Sequence, residues 1–243
     1  MFDNRSSYRK AHQKKGLTSF DITVKETNLN IQADTDLSSM ATQAALDCRS
    51  HIEAWIHQHP EFATSLSPLP VPDIAPPIIR QMLQAGQAAQ VGPMAAVAGA
   101  VSQAVGEALL THSKQVAVEN GGDVFMASDT ETTFAVFAGD HSPFTLRAGI
   151  KIPVQERPFG LCTSSGTLGH SKSFGRADAV TVLADDTALA DASATSLANR
   201  IQSPADINPT MEEGKAIPGI RGLVMILGDQ IGLWGDLTLV PLK

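Results

Sequence analysis

From Val116 onward the chain is a succession of short apolar runs: VAVEN, VFMAS, TTFAVFAG, FTLRAGIKI, AVTVLA, GLVMIL and LTLVPL. A single strong helical pattern, about Thr187 to Ile201, is set among them. Parallel strands need a crossover between each pair, usually a helix, so strands that follow one another this closely point to antiparallel pairing. The first half adds a hairpin and helices. Phe20, Ile22 and Val24, then Leu29, Ile31 and Ala33, alternate with polar neighbours on either side of Lys25 to Asn28, which predicts a β-hairpin. Leu37, Met40, Ala41, Ala44, Cys48, Ile52, Trp55 and Ile56 recur at steps of three and four, with Thr35 or Asp36 as N-cap and Pro60 as the stop. Helical periodicity resumes over Ile78 to Gln90, breaks at Gly92-Pro93 and returns over Met94 to Leu110. The predicted class is α+β, with largely antiparallel sheets and packed helices.

The chain of 243 residues fits one domain over residues 1–243. Pro60, Pro68, Pro70, Pro72, Pro76 and Pro77 mark a stretch, about 60–77, that reads as an extended surface linker. With 43% hydrophobic and 18% charged residues the composition is globular rather than disordered. The net charge of −7 argues against a nucleic-acid surface, and the one basic cluster, Arg5 to Lys15, reads as a solvated arm. The most apolar run, Pro93 to Leu110, is interrupted by Ser102, Gln103 and Glu107, so it suits a buried helix rather than a membrane span. No continuous apolar segment follows the basic N-terminus, and Cys48 and Cys162 lack metal-binding spacing. Free thiols in a reducing cytoplasm are the expectation.

Function-like residues concentrate in two islands. The first is VENGGDVF, where Gly121 and Gly122 follow Glu119 and Asn120 and precede Asp123. Two glycines that tolerate positive φ can expose successive amides to an anion, and a plain hairpin turn has the same signature. The second island runs from Cys162 to Asn199. Thr163, Ser164, Ser165 and Gly166 offer hydroxyls and amides to phosphate oxygens, and His170 follows in the same loop. On the predicted helix Asp191, Thr195 and Asn199 are spaced by four and share a face. A carboxylate one turn from a hydroxyl can form half of a site for magnesium, which takes oxygen ligands. A polar helix face fits the same spacing. Ala95, Gly99, Ser102 and Gly106 form a stripe poor in side chains, where a neighbouring backbone or a ligand can approach closely. Cys162 and His170 raise the idea of a thiol nucleophile, with no third orienting residue indicated.

In this order, VENGGDV, CTSSGTLGHS and VTVLADDTALADASATSLAN resemble the signature segments of the ApbE-like superfamily. YRKAHQKKGL, AQVGPMAAVAGAVSQAVGEALL and GHSKSFGRADAVTV extend the resemblance to an uncharacterised ApbE-related branch found in archaea and anaerobic bacteria. Characterised members of the superfamily are magnesium-dependent flavin transferases that take FMN from FAD and attach it to a threonine of an acceptor protein. The resemblance implies a tunnelling-type fold with a pocket between its motif-bearing halves. It places the metal ligands at Asp191, Thr195 and the backbone carbonyl of Asn120, and nucleotide contacts at Gly121, Gly122, Ser165 and Gly166, to which the reading of the two islands adds Asp123, Thr163 and Ser164. The histidine falls on His170. Two family elements have no match: SKSFGRAD stands where an Asp-Pro-x-Thr-Gly element follows the histidine, and PMAAVAGA stands where a lysine-glycine-tyrosine helix holds the flavin nucleotide.

The expected function is a magnesium-assisted enzyme acting on FAD or a related flavin or deazaflavin nucleotide. FMN transfer or pyrophosphate cleavage is the expected chemistry, with His170 as the catalytic residue and an acceptor protein as a possible partner. The alternative is a non-catalytic protein that binds the same nucleotide.

Overall fold

The computed structural model describes residues 14, 16–139, 142–166 and 174–242. The opening hairpin forms as the alternation predicts. Strands β1 (Thr18–Val24) and β2 (Thr27–Ala33) pair with Phe20 opposite Ile31 and Ile22 opposite Leu29. Helix α1 (Ser38–Gln58) follows and buries Ala41, Ala45, Cys48 and Ile52. Its N-cap is Leu37 rather than Thr35 or Asp36, although Asp36 lies close by and accepts from the Ser38 amide at 2.9 Å.

The proline-rich stretch is not extended throughout. Glu61–Thr64 form a one-turn helix, α2, that plants Phe62 in the core at 1% exposure. Proline is tolerated at a helix start, where its missing N–H has no partner to lose, so Pro60 and Pro77 both open helices. Between them Leu69, Val71 and Ala75 pack on the core while Ile74 is 90% exposed. Helix α3 (Pro77–Ala89) then leads through a 3-10 turn (Pro93–Ala96) into α4 (Val97–Leu109).

The later strands are β3 (Val116–Asn120), β4 (Asp123–Ala127), β5 (Thr132–Ala135), β6 (Ala148–Ile152), β7 (Phe159–Ser164) and β8 (Ala179–Ala184). After them come α5 (Thr187–Arg200), α6 (Ile207–Lys215), β9 (Ile220–Leu227), β10 (Gln230–Gly235) and β11 (Thr238–Pro241). The α+β class and the antiparallel pairing are as expected. Three elements carried no adequate local signal. Strand β7 and strand β10 are interrupted by glycines, and α6 holds Pro209 in its first turn and Gly214 near its end. In the other direction, TTFAVFAG and FTLRAGIKI are strand only at their outer halves, because the chain turns over between them with Leu146 at φ 55°.

Eight strands form one sheet in the order β1-β2-β3-β4-β7-β8-β9-β10, and β11-β6-β5 form a second. The register across β4 and β7 sets Asp123 opposite Cys162, so the two sequence islands become neighbours in the middle of the large sheet. Alternation along the strands divides the core. Val118 and Phe125 face α1, α3 and α4, whereas Ala117, Val124, Met126 and Leu161 face the small sheet with Phe134, Ile150 and Ile152. Helices α5 and α6 cover β8 and β9 on the helix side.

The small-residue stripe of α4 serves close packing. A Cβ at Gly106 would drive into the ring of Phe125, itself 2% exposed. Gly106→Ala should therefore destabilise the protein by about 1–3 kcal/mol, the usual cost of overpacking a filled core. Urea denaturation measures this, and an unchanged midpoint would show that Phe125 has room to move.

Candidate functional site

The site is built on the helix side of the sheet, where α4 and α5 cross β3, β4 and β7. The turn between β3 and β4 has two residues, Gly121 and Gly122, with φ of 69° and 113°. Both values are costly for any residue with a Cβ, and such a primed turn is what a tight hairpin demands. The Gly122 amide is already engaged, donating to Glu119 Oε1 at 3.1 Å. The neighbouring Asn120 Nδ2 donates to the carbonyl of Ala98 at 3.2 Å, which ties the turn to the start of α4.

Helix α5 starts where the pattern predicts, with Asp186 as N-cap accepting from the Leu189 amide at 2.8 Å. Its Asp191 is buried at 8% exposure and meets α4 directly, accepting from the Gly99 amide at 2.8 Å on Oδ2. Thr195 follows one turn later, half-buried. Asn199 continues the row, and its Oδ1 accepts from the Phe174 amide at 2.7 Å. It thus ties the returning chain to the end of α5.

Asp123 is buried at 9% exposure beside this pair, and its carbonyl accepts from the Ser102 hydroxyl at 3.0 Å. Burial raises the Asp123 carboxyl well above the usual carboxylate range, and the negative charge of Asp191 raises it further. Asp191 itself is pushed up to about 7 by burial, while the amides of Gly99 and Ala98 hold it lower than burial alone would. Two acidic groups this close in a dry setting cannot both ionise without compensation. Cys162 adjoins them, with its thiol on the carbonyl of Thr187 at 3.4 Å. Burial and the charges of Asp123 and Asp191 push this thiol well up, which removes the thiolate a nucleophile requires.

The predicted phosphate-binding segment is divided by its strand. Ser164 is buried on the helix side, at 8% exposure. The Thr163 hydroxyl lies on the opposite face and pairs with that of Thr181 at 2.8 Å, although the Thr163 amide serves Asp123. Ser165 and Gly166 follow the strand, and the Gly166 amide donates to the Ala177 carbonyl at 2.9 Å. His170 lies outside the described residues. The structure thus brings Asn120, Gly121, Gly122, Asp123, Ser164 and Asp191 to one side of the sheet and sends the Thr163 hydroxyl to the other. Among the described residues no group of three His, Cys, Asp or Glu side chains is arranged to hold a metal. A site made of one carboxylate, one hydroxyl and one main-chain carbonyl is a different donor set. Gly99 and Ser102, which the sequence marks as part of a stripe open to close approach by a neighbouring backbone or a ligand, both bond directly to residues of the site.

Comparison with known proteins agrees with this architecture. The family model described as AbpE bacteria matches residues 9–226, and the chain belongs to that ApbE-related family. The UPF0280 protein of Methanococcus maripaludis strain C5 is 40% identical over 222 residues, 89% of this chain and 90% of that protein. The UPF0280 protein of Methanocella arvoryzae is 38% identical over 215 residues, covering 88% and 87%. Among solved structures, the ApbE protein of Thermotoga maritima shares the fold with a TM-score of 0.55 and 12% identity, over 89% of this chain and 96% of that one. The flavin transferase ApbE of Vibrio cholerae does so with a TM-score of 0.51 and 12% identity, over 90% and 97%.

The buried acid leaves a thermodynamic mark. A carboxyl that stays protonated up to about pH 7 when folded, yet ionises near its ordinary value of 3.8 when unfolded, binds more protons in the folded state between those values. Its contribution to stability is complete below about pH 4 and falls as pH rises towards 7. In metal-free protein, Asp191→Asn should remove this loss, so the variant gains on the unmutated chain by up to roughly 1.4 kcal/mol per pH unit across the window. Denaturation curves at a series of pH values test it. Parallel curves for the two proteins would show that Asp191 is already ionised at pH 4.

Proposed function

We propose that the protein is a magnesium-assisted enzyme acting on a flavin or related nucleotide cofactor, cleaving or transferring across the pyrophosphate. The observation that carries this reading is the buried Asp123–Asp191 pair set against the Asn120–Gly121–Gly122 turn. Acidic groups are expensive to bury, and a divalent cation is the partner that would offset that cost. Asp191, Thr195 and the carbonyl of Asn120 would hold the cation. When bound, it would neutralise charge on the pyrophosphate as the leaving phosphate departs.

The chain's own residues have separate tasks in this scheme. Ser164 and Ser165, with the amides of the glycine turn, would bind phosphate oxygens. Glu119 must release the Gly122 amide for that turn to accept an anion. Asp123, its carboxyl raised by burial, would line the site beside the cation, and His170 would transfer a proton to the reacting group. A flavin substrate and an acceptor protein belong to this reading, supported by the fold shared with the flavin transferase ApbE of Vibrio cholerae. Among the described residues no helix is long and apolar enough to cross a membrane, and Cys48 and Cys162 are free thiols. Both fit a cytoplasmic enzyme.

One sequence observation favours a second reading. SKSFGRAD after His170 and PMAAVAGA leading into α4 depart from the transferase elements, so the protein would bind the nucleotide without turning it over.

Chelator-treated protein incubated with FAD, with and without Mg2+, separates the two by released AMP and retained flavin. The enzyme reading predicts AMP release that requires Mg2+ and is abolished in Asp191→Ala with the fold kept. Retained flavin without AMP establishes the binder, and neither product refutes both readings for FAD. His170→Ala should lower the rate about 10²–10⁴-fold with little change in FAD affinity, because proton transfer acts in the transition state. An unchanged rate would remove His170 from the chemistry.

A further inference from the structure

We infer that the first turn of α4 sets the spacing of the cation ligands, with Gly99 as the positioning residue for Asp191 and the Asn120 side chain as its counterpart. This rests on the cation site proposed above and names the part of the fold that holds it in register. The two ends of that site come from separate elements, Asn120 from the end of β3 and Asp191 from the second turn of α5. Adjacent residues of α4 bind both of them. The Gly99 amide donates to Asp191 Oδ2 at 2.8 Å, and the Ala98 carbonyl accepts from Asn120 Nδ2 at 3.2 Å. One turn further, the Ser102 hydroxyl reaches the Ala98 carbonyl and the Asp123 carbonyl, each at 3.0 Å. The helix therefore bonds to Asn120, Asp123 and Asp191 together.

Residue 99 has to be glycine for this contact to form. A Cβ there would stand 2.8 Å from the Asp191 Cβ and 2.9 Å from the Thr187 carbonyl carbon, and closer still to the Thr187 carbonyl oxygen. The obstructing atoms are the backbone of α5 and the first carbon of Asp191, neither of which can swing aside as a long side chain would. A methyl group at this point must move α5 away from α4 and carry Asp191 with it. Magnesium demands near-octahedral geometry at short oxygen distances, so a displacement of a few tenths of an ångström at one ligand weakens binding. Loss of groups that orient metal ligands commonly lowers affinity 10–100-fold.

Gly106 supplies a matched control. It lies on the same helix, and an added Cβ there strikes the ring of Phe125 and no residue of the site. Asn120→Ala is equally selective, because the proposed ligand is the main-chain carbonyl, which survives, while the tie to Ala98 is lost.

The test is Mn2+ binding to the chelator-stripped full-length chain, read from the electron paramagnetic resonance signal of the free ion. Gly99→Ala should weaken Mn2+ binding about 10–100-fold. Asn120→Ala should shift it in the same direction, and Gly106→Ala should bind as the unmutated protein does despite its lower stability. Unmutated affinity in Gly99→Ala overturns the proposal, as does a loss in Gly106→Ala equal to that in Gly99→Ala, which would show general loosening. If Gly99→Ala does not fold, Asn120→Ala decides, and unmutated affinity there overturns the proposal. An unmutated protein that takes up no Mn2+ refutes the cation site itself, whereas binding to which the variants are indifferent refutes only the positioning role.

Discussion

Two carboxyl groups, Asp123 and Asp191, are buried side by side on the helix face of the large sheet, and the arrangement around them follows from that placement. Burying one carboxylate is costly and burying two together is more so, unless protons, hydrogen bonds or a cation compensate. The fold supplies the first two: burial favours the protonated form of Asp123, and Asp191 leans on the amides at the start of α4. A core that served stability alone would gain by replacing both acids with apolar side chains of similar size. Their presence at the junction of three elements is what gives this region the character of a site.

The architecture depends on the same junction. The register of β4 against β7 brings Asp123 beside Cys162, and α5, returning from β8, crosses β7 and delivers Asp191 to the same place. Helix α4 closes the third side, and the close contact at Gly99 brings it near enough for main-chain atoms to bond with site residues. At Gly99 the packing stripe and the site are thus one feature. A substitution there acts on the spacing of the acids, whereas one at Gly106 meets the ring of Phe125.

Much of this was legible in the sequence, for physical reasons that can be traced. Alternation revealed the first hairpin, and helical spacing revealed α1, α3 and α5, including the shared face of Asp191 and Thr195. The tight turn at Gly121-Gly122 was visible because positive φ needs glycine. Strands β7 and β10 were hidden because glycines replace the alternating pattern, and β7 is buried on both faces. Reading Thr163 to Gly166 as one loop missed that a strand sends successive side chains to opposite sides, which separates the Thr163 hydroxyl from Ser164. The tie between Asp191 and Gly99 joins residues 92 positions apart, and no local pattern encodes it. Its only trace was the small-residue stripe, which reads as packing until the partner is known.

The most direct test of the account is the position of a bound cation. Crystals grown with Mn2+ and ADP, measured at a wavelength where manganese scatters anomalously, would locate it without reference to activity. The account predicts one strong anomalous peak within coordinating distance of an Asp191 carboxylate oxygen, the Thr195 hydroxyl and the Asn120 carbonyl, with Asp191 Oδ2 still bonded to the Gly99 amide. Manganese bound elsewhere, or no manganese at saturating concentration with Asp191 engaged only by α4, would show that the buried acids are structural and that the site takes no metal.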